Sequence, residues 1–258
     1  MKKETFNLII MLCISTILVF GYKIYTVQKD YEKADNVYSE IREVKEKQTK
    51  SNDEDNIDTN TNKDKSEEED MDEKDVNGNK EGIDLSDINS DYKFWINVEG
   101  TNIDYPVVQG SDNNFYLNHD FNKNYLPAGS IFLDYRNDFE TDYNTVIYGH
   151  HMRNSTMFGQ MEKFKKEDFF EKNKTITLTS KDDIYEYEIF AIGVYDADFG
   201  YNTVNFNDED DFNNFLDKIL SKSMYSRNIV NSSDKIITLS TCSYEYDNAR
   251  TAIFAVRK

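Results

Sequence analysis

The sequence predicts one mostly β domain, a barrel or a sandwich, preceded by an apolar segment and an acidic spacer. Three observations carry this reading. Eight short strand-like runs, several of them separated by turn signals, crowd into residues 83–258. An uncharged stretch of 17 residues, Phe6 to Tyr22, lies behind Lys2 and Lys3. From Ser51 to Gly82 there are 13 acidic and 4 basic residues, with Ile57, Met71 and Val76 the only aliphatic or aromatic side chains.

Taken in order, the apolar run sits at the short edge of the roughly 17 to 25 residues a membrane-spanning helix needs. Ile24 and Tyr25 lengthen it to about residues 6–25, with Lys23 free to snorkel. A cleaved signal peptide is the rival reading, but no small-x-small site follows; the chain continues Gly21-Tyr22-Lys23-Ile24-Tyr25. An uncleaved anchor is therefore expected. Lys2 and Lys3 place residues 1–5 in the cytoplasm and the rest of the chain outside.

Residues 26–50 read as a helical stalk, or as a helix that docks on the domain, with Tyr31, Ala34, Val37, Tyr38, Ile41 and Val44 at three- and four-residue spacings. Residues 51–82 cannot bury enough apolar area to offset their ordering entropy, so they read as a solvated spacer; a cation- or partner-binding tail is the alternative. The folded domain is then 83–258, long enough for a real core.

Its expected strands are Phe94–Val98, Ile103–Gln109, Ser130–Asp134, Asn144–Tyr148, Thr175–Thr179, Tyr185–Asp196, Lys235–Thr241 and Thr251–Val256. A helix is expected after Asn207-Asp208, where Phe212, Phe215, Leu216, Ile219 and Leu220 form one apolar stripe behind an acidic first turn. A weaker helical pattern runs from Met157 to Phe170.

Composition excludes several classes. A formal net charge of −19 over 258 residues disfavours nucleic acid, which needs clustered Lys and Arg. Two cysteines, one of them Cys13 in the apolar run, cannot make a disulfide framework.

The other cysteine is the candidate nucleophile. Cys242 ends the strand-like Ile236-Ile237-Thr238-Leu239-Ser240-Thr241 where a polar loop begins, a place that is rigid yet open to substrate. A buried cysteine acting as a small hydrophobe is the bland alternative. Thiolate chemistry needs a base nearby, and the chain offers three histidines: His150 after Tyr148-Gly149 at a strand end, His151 beside it, and His119. Spacing favours His150, then His151, and makes His119 a surface or hydrogen-bonding residue.

Arg250 opens the last strand and would approach Cys242 if the two final strands pair, giving a charged donor for an oxyanion. The equally open alternative is a surface arginine paired with Glu245 or Asp247. Ser240, Thr241, Tyr244 and Glu245 are expected to shape a substrate pocket.

Thr238-Leu239-Ser240-Thr241-Cys242 with downstream Arg250 resembles the sortase signature. The resemblance extends through Tyr105-Pro106-Val107-Val108-Gln109-Gly110, Phe115-Tyr116-Leu117-Asn118-His119-Asp120, Gly129-Ser130-Ile131-Phe132-Leu133-Asp134, Asn144-Thr145-Val146-Ile147-Tyr148-Gly149-His150 and Met157-Phe158, all in the order of class B sortases. It implies an eight-stranded sortase β-barrel with N-terminal helices and an inserted helix before the cysteine strand. The histidine directly after Tyr-Gly, His150, becomes the catalytic one.

The resemblance further implies a membrane-anchored cysteine transpeptidase of Gram-positive bacteria that needs no cofactor. A metal site of the class A kind finds no match, so no metal is expected. Implied partners are secreted proteins with a C-terminal, threonine-containing sorting signal and a peptidoglycan-precursor amine of the lipid II type. A histidine–cysteine pair with reference pKa values of about 6.5 and 8.5 would give a bell-shaped pH profile. A hydrolytic cysteine protease of the same fold, and a non-catalytic surface interaction domain, are the remaining alternatives.

Overall fold

The computed structural model describes residues 3–55 and 84–258. The acidic spacer lies outside the described residues, except that the first helix, α1 (Lys3–Asp55), runs on through residues 51–55. The apolar run and the expected stalk are one continuous helix. Its apolar part is exposed, Phe20 at 65% and Ile24 at 70%, and is long and apolar enough to cross a membrane. Farther along, Ala34, Tyr38 and Ile41 are buried on the domain, and Arg42 Nε donates to Asp104 O at 3.1 Å.

Behind a one-turn helix α2 (Leu85–Ile88) come strands β1 (Tyr92–Val98), β2 (Asp104–Val108), β3 (Ile131–Leu133) and β4 (Asn144–Tyr148). After them follow a 3-10 segment Phe158–Lys165, the short helix α3 (Glu167–Lys172), β5 (Thr175–Thr179) and β6 (Ile184–Asp196). The chain ends with α4 (Glu209–Leu220), β7 (Tyr225–Ser226), β8 (Ile236–Cys242) and β9 (Ala249–Arg257).

Neighbouring strands run β5-β1-β2-β3-β4-β8-β9-β6, and β5 pairs again with β6, closing an eight-stranded barrel. The expected eight strands are all present. β7 is an addition: its two residues pair with Ala191 and Ile192 of β6 and are too few to leave a periodic signal.

The expected helix at Met157–Phe170 is instead a 3-10 segment and a separate α3. The extended backbone of Lys166 (φ −97°, ψ 124°) divides them, and Met157 enters at φ 52°. The inserted helix α4 is as expected, its N-cap Asp208 accepting from Asp211 N at 2.9 Å.

Period-two alternation sorts β8 and β9 into two cores. Ile237, Leu239, Ile253 and Ala255 face the barrel interior with Ile147 and Val107. Ile236, Ala252, Phe254 and Val256 face outward against Phe212, Phe215, Leu216 and Ile219 of α4. Cys242 has the parity of Ile236 and Arg250 that of Ala252, so both belong to the outer face.

Candidate active site

Three adjacent strands, β4, β8 and β9, lie in one row and lead to the candidate residues. β4 and β8 are parallel, with Tyr148 opposite Ser240, and Gly149 N donates to Ser240 O at 3.2 Å. His150 follows the end of β4 by two residues, and Cys242 lies two residues beyond Ser240 at the end of β8. β8 and β9 are antiparallel, and Cys242 is the direct partner of Arg250.

Several contacts hold this row. Thr241 Oγ1 donates to Gly149 O at 2.7 Å and ties the exit of β4 to β8. Gly149 leaves no room for a side chain, since a Cβ there would sit 2.4 Å from Ile131 Cδ1 and 2.8 Å from Phe158. The His150 ring is fixed by Nε2 donating to Leu117 O at 2.7 Å, and its own carbonyl accepts from Phe158 N at 3.0 Å. With Nε2 engaged as a donor, Nδ1 is the nitrogen left for proton exchange.

Cys242 is an exposed free thiol rather than a buried hydrophobe. The Arg250 guanidinium donates only to Ala249 O, at 2.9 Å, and forms no ion pair among the described residues. Of the two carboxylates offered as its surface partner, Asp247 forms no ion pair among the described residues and Glu245 is committed elsewhere. Glu245 pairs with Lys165 Nζ and accepts from Ser243 Oγ. Burial pushes the Glu245 carboxyl up, but the hydrogen bonds from Lys165 and Ser243 outweigh it and hold it down to about 2.

The four expected pocket residues divide. Ser240 is buried and shares a 2.8 Å hydrogen bond with the Tyr201 hydroxyl, and Thr241 is spent on Gly149. Glu245 belongs to a clamp in which Lys165 also reaches Glu162 at 2.6 Å and Ser243 Oγ at 2.9 Å. Tyr244 is 66% exposed and lies 5.0 Å from the His151 ring.

The remaining histidines have other duties. His151 Nδ1 donates to the backbone carbonyl of Cys242 at 3.0 Å. His119 stacks on Phe115 at 4.0 Å and donates to Phe115 O, as a hydrogen-bonding residue.

Three contributors gave no sequence signal. Leu117 acts through its carbonyl, which any residue would supply. Tyr201 lies in a loop far from Cys242 in sequence, yet its phenol shares a hydrogen bond with Ser240 and feels the charges of both Cys242 and Arg250. Burial raises its pKa, Ser240 and Arg250 pull it back, and Cys242 adds to the rise. Lys165 meets Ser243 and Glu245 only because the 3-10 segment lies against the β8–β9 loop. No group of three or more His, Cys, Asp or Glu side chains among the described residues is placed to hold a metal ion.

The Sortase domain family pattern matches residues 96–258. Sortase B of Listeria monocytogenes is 42% identical over 166 residues, covering 64% of this chain and 68% of that protein. The chain belongs to the class B sortases. The Clostridium perfringens sortase B structure superposes on this sortase with a TM-score of 0.65 at 46% identity, covering 67% of this chain and 97% of that one. A Staphylococcus aureus sortase B–substrate complex gives 0.63 at 36% identity, covering 67% and 82%. The sortase is accordingly a cysteine transpeptidase on a closed eight-stranded barrel.

Proposed function

We propose that this sortase is anchored in the cell membrane by residues 6–25, N-terminus inside, and joins secreted proteins to the wall through Cys242, His150 and Arg250. The observation that supports the site assignment is the direct pairing of Cys242 on β8 with Arg250 on β9, at the end where the parallel β4 gives way to His150. The exposed apolar part of α1, behind Lys2 and Lys3, supports the anchor.

In the first half-reaction the Cys242 thiolate attacks the carbonyl carbon of a sorting-signal threonine. The sulfur–carbon bond forms, the carbonyl electrons move onto oxygen, and the Arg250 guanidinium stabilises that charge. Collapse expels the amine, which takes the proton of the His150 imidazolium and leaves a thioester. In the second, a peptidoglycan-precursor amine attacks the thioester, His150 accepts its proton, and the Cys242 thiolate departs. One amide is exchanged for another, so no external energy source enters.

The full chain, in detergent, is incubated with a pentapeptide library of the class B type (Asn-Pro-x-Thr-Asn/Gly) and an amine, beside Cys242→Ala. Mass spectrometry is expected to find an acyl adduct on Cys242 that converts to an amine-linked product, with none in the variant. An adduct on another residue, or release of free acid unaffected by added amine, would overturn the assignment.

A further inference from the structure

The buried stalk residue Tyr38 reaches both supports of the candidate catalytic histidine. Its hydroxyl donates to Gly129 O at 2.5 Å and to Ser130 Oγ at 3.2 Å. Gly129 lies against the turn that carries the Leu117 carbonyl. At φ 58° a Cβ on Gly129 would fall 2.5 Å from Tyr116 O and 2.6 Å from Leu117 O. Ser130 fastens the same turn, its N–H donating to Tyr116 O and its hydroxyl to His119 O, each at 2.9 Å. The Leu117 carbonyl on this turn is the one that accepts from His150 Nε2 at 2.7 Å.

The other route runs through the ring of Tyr38. It packs edge-on against Tyr105 at 5.2 Å, and the Tyr105 hydroxyl accepts from Met157 N at 3.1 Å. The next residue, Phe158, donates its N–H to His150 O at 3.0 Å. One side chain on α1 therefore sits behind the ring contact and the backbone contact of His150. Tyr38 is 2% exposed, and α1 is continuous from the apolar segment to this residue.

We infer that Tyr38 is a positioning residue for His150, so that docking of the membrane-continuous helix sets the orientation of the catalytic histidine. This rests on the assignment of His150 as acid and base. Losing the Tyr38 hydroxyl frees Gly129 and Ser130 to shift, and the Leu117 carbonyl moves with them. A carbonyl held near 2.7 Å stabilises the proton on Nε2 and leaves Nδ1 aimed; a looser one does neither. Cys242 and Arg250, at the ends of β8 and β9, are the same in both forms.

The test uses the full chain in detergent with the ring carbons of its three histidines isotope-labelled. Tyr38→Phe keeps the ring and removes the hydroxyl. Expected are a fall in kcat of about three- to tenfold, the size of one lost hydrogen bond, with KM for the peptide within twofold. The His150 ring resonances, assigned by their loss in His150→Gln, should move while those of His119 and His151 hold. Phe212→Leu, which loosens the α4 core away from α1, should lower Tm and leave kcat and the His150 resonances unchanged.

Wild-type kcat and unmoved His150 resonances in Tyr38→Phe would overturn the inference, as would equal effects from Phe212→Leu. Full activity in His150→Gln would instead remove the acid–base assignment, while the His150 resonances in Tyr38→Phe still report whether Tyr38 and His150 are coupled. If Tyr38→Phe does not fold, Ser130→Ala, which removes an acceptor of the same hydroxyl and a tie to the turn, is read in the same way.

Discussion

At the scale of single residues, the site pairs one exposed thiol with one arginine that has no carboxylate partner among the described residues. Both leave groups unpaired that a bound acyl oxygen and carbonyl carbon would engage. Arg250→Lys keeps the charge and loses the planar fork, so kcat should fall by about 10² while KM changes little, the effect of removing a donor that acts mainly in the transition state. Single-turnover acylation kinetics would measure it.

Glu245 supplies a separate test. Its folded carboxyl is held down to about 2, below the ordinary value of 4.5. The clamp it makes with Lys165 and Ser243 is thus in full force above pH 4.5 and is lost as pH falls toward 2. The side chain is 43% exposed, so screening leaves about 1 kcal/mol or less. Urea denaturation at pH 7 and pH 3 should show a smaller pH loss of stability in Glu245→Gln than in the parent.

At the scale of elements, the site depends on two strand ends being level. Gly149 lets β4 leave the barrel against Ile131 and Phe158, and Thr241 fastens it to β8. Gly149→Ala forces a contact of 2.4 Å on the Ile131 side chain, an overpacking cost of about 1 to 3 kcal/mol. Because the shift falls next to His150, the acylation rate should drop more than thermal stability does; calorimetry beside single-turnover kinetics separates the two. α4 does different work. Phe212 is fully buried between α4 and the outer sheet face, and Phe212→Ala should cost about 3 to 5 kcal/mol. That loss should appear in denaturant midpoints with the pH profile of activity unchanged.

At the scale of the whole molecule, α1 joins an exposed apolar helix to a barrel it also packs against. Residues 10–25 are exposed, whereas Ala34, Tyr38 and Ile41 are buried. The domain is therefore held about 13 Å beyond the apolar segment, the rise of nine helical residues. With the anchor read from residues 6–25, protease added to intact cells should degrade the barrel and spare an N-terminal tag. Protection of the barrel would reverse the topology.

The sequence determined what local rules govern. Alternation of apolar residues located eight strands, the stripe from Phe212 to Leu220 located α4, and an uncharged run located the apolar segment, because each pattern is set by residues a few positions apart. The strand ends also pointed to Cys242, His150 and Arg250. The tertiary structure decided what depends on contacts across the chain: barrel closure through β5 and β6, and the register that levels Tyr148 with Ser240 and Cys242 with Arg250. It also decided the commitment of Glu245 to Lys165 rather than Arg250, and the seating of Tyr38 behind the turn of Leu117. These contacts join backbone carbonyls and side chains that lie tens of residues apart. A carbonyl has no residue type and a pairing register has no local code, so neither leaves a mark in the sequence that could be read before the chain is folded.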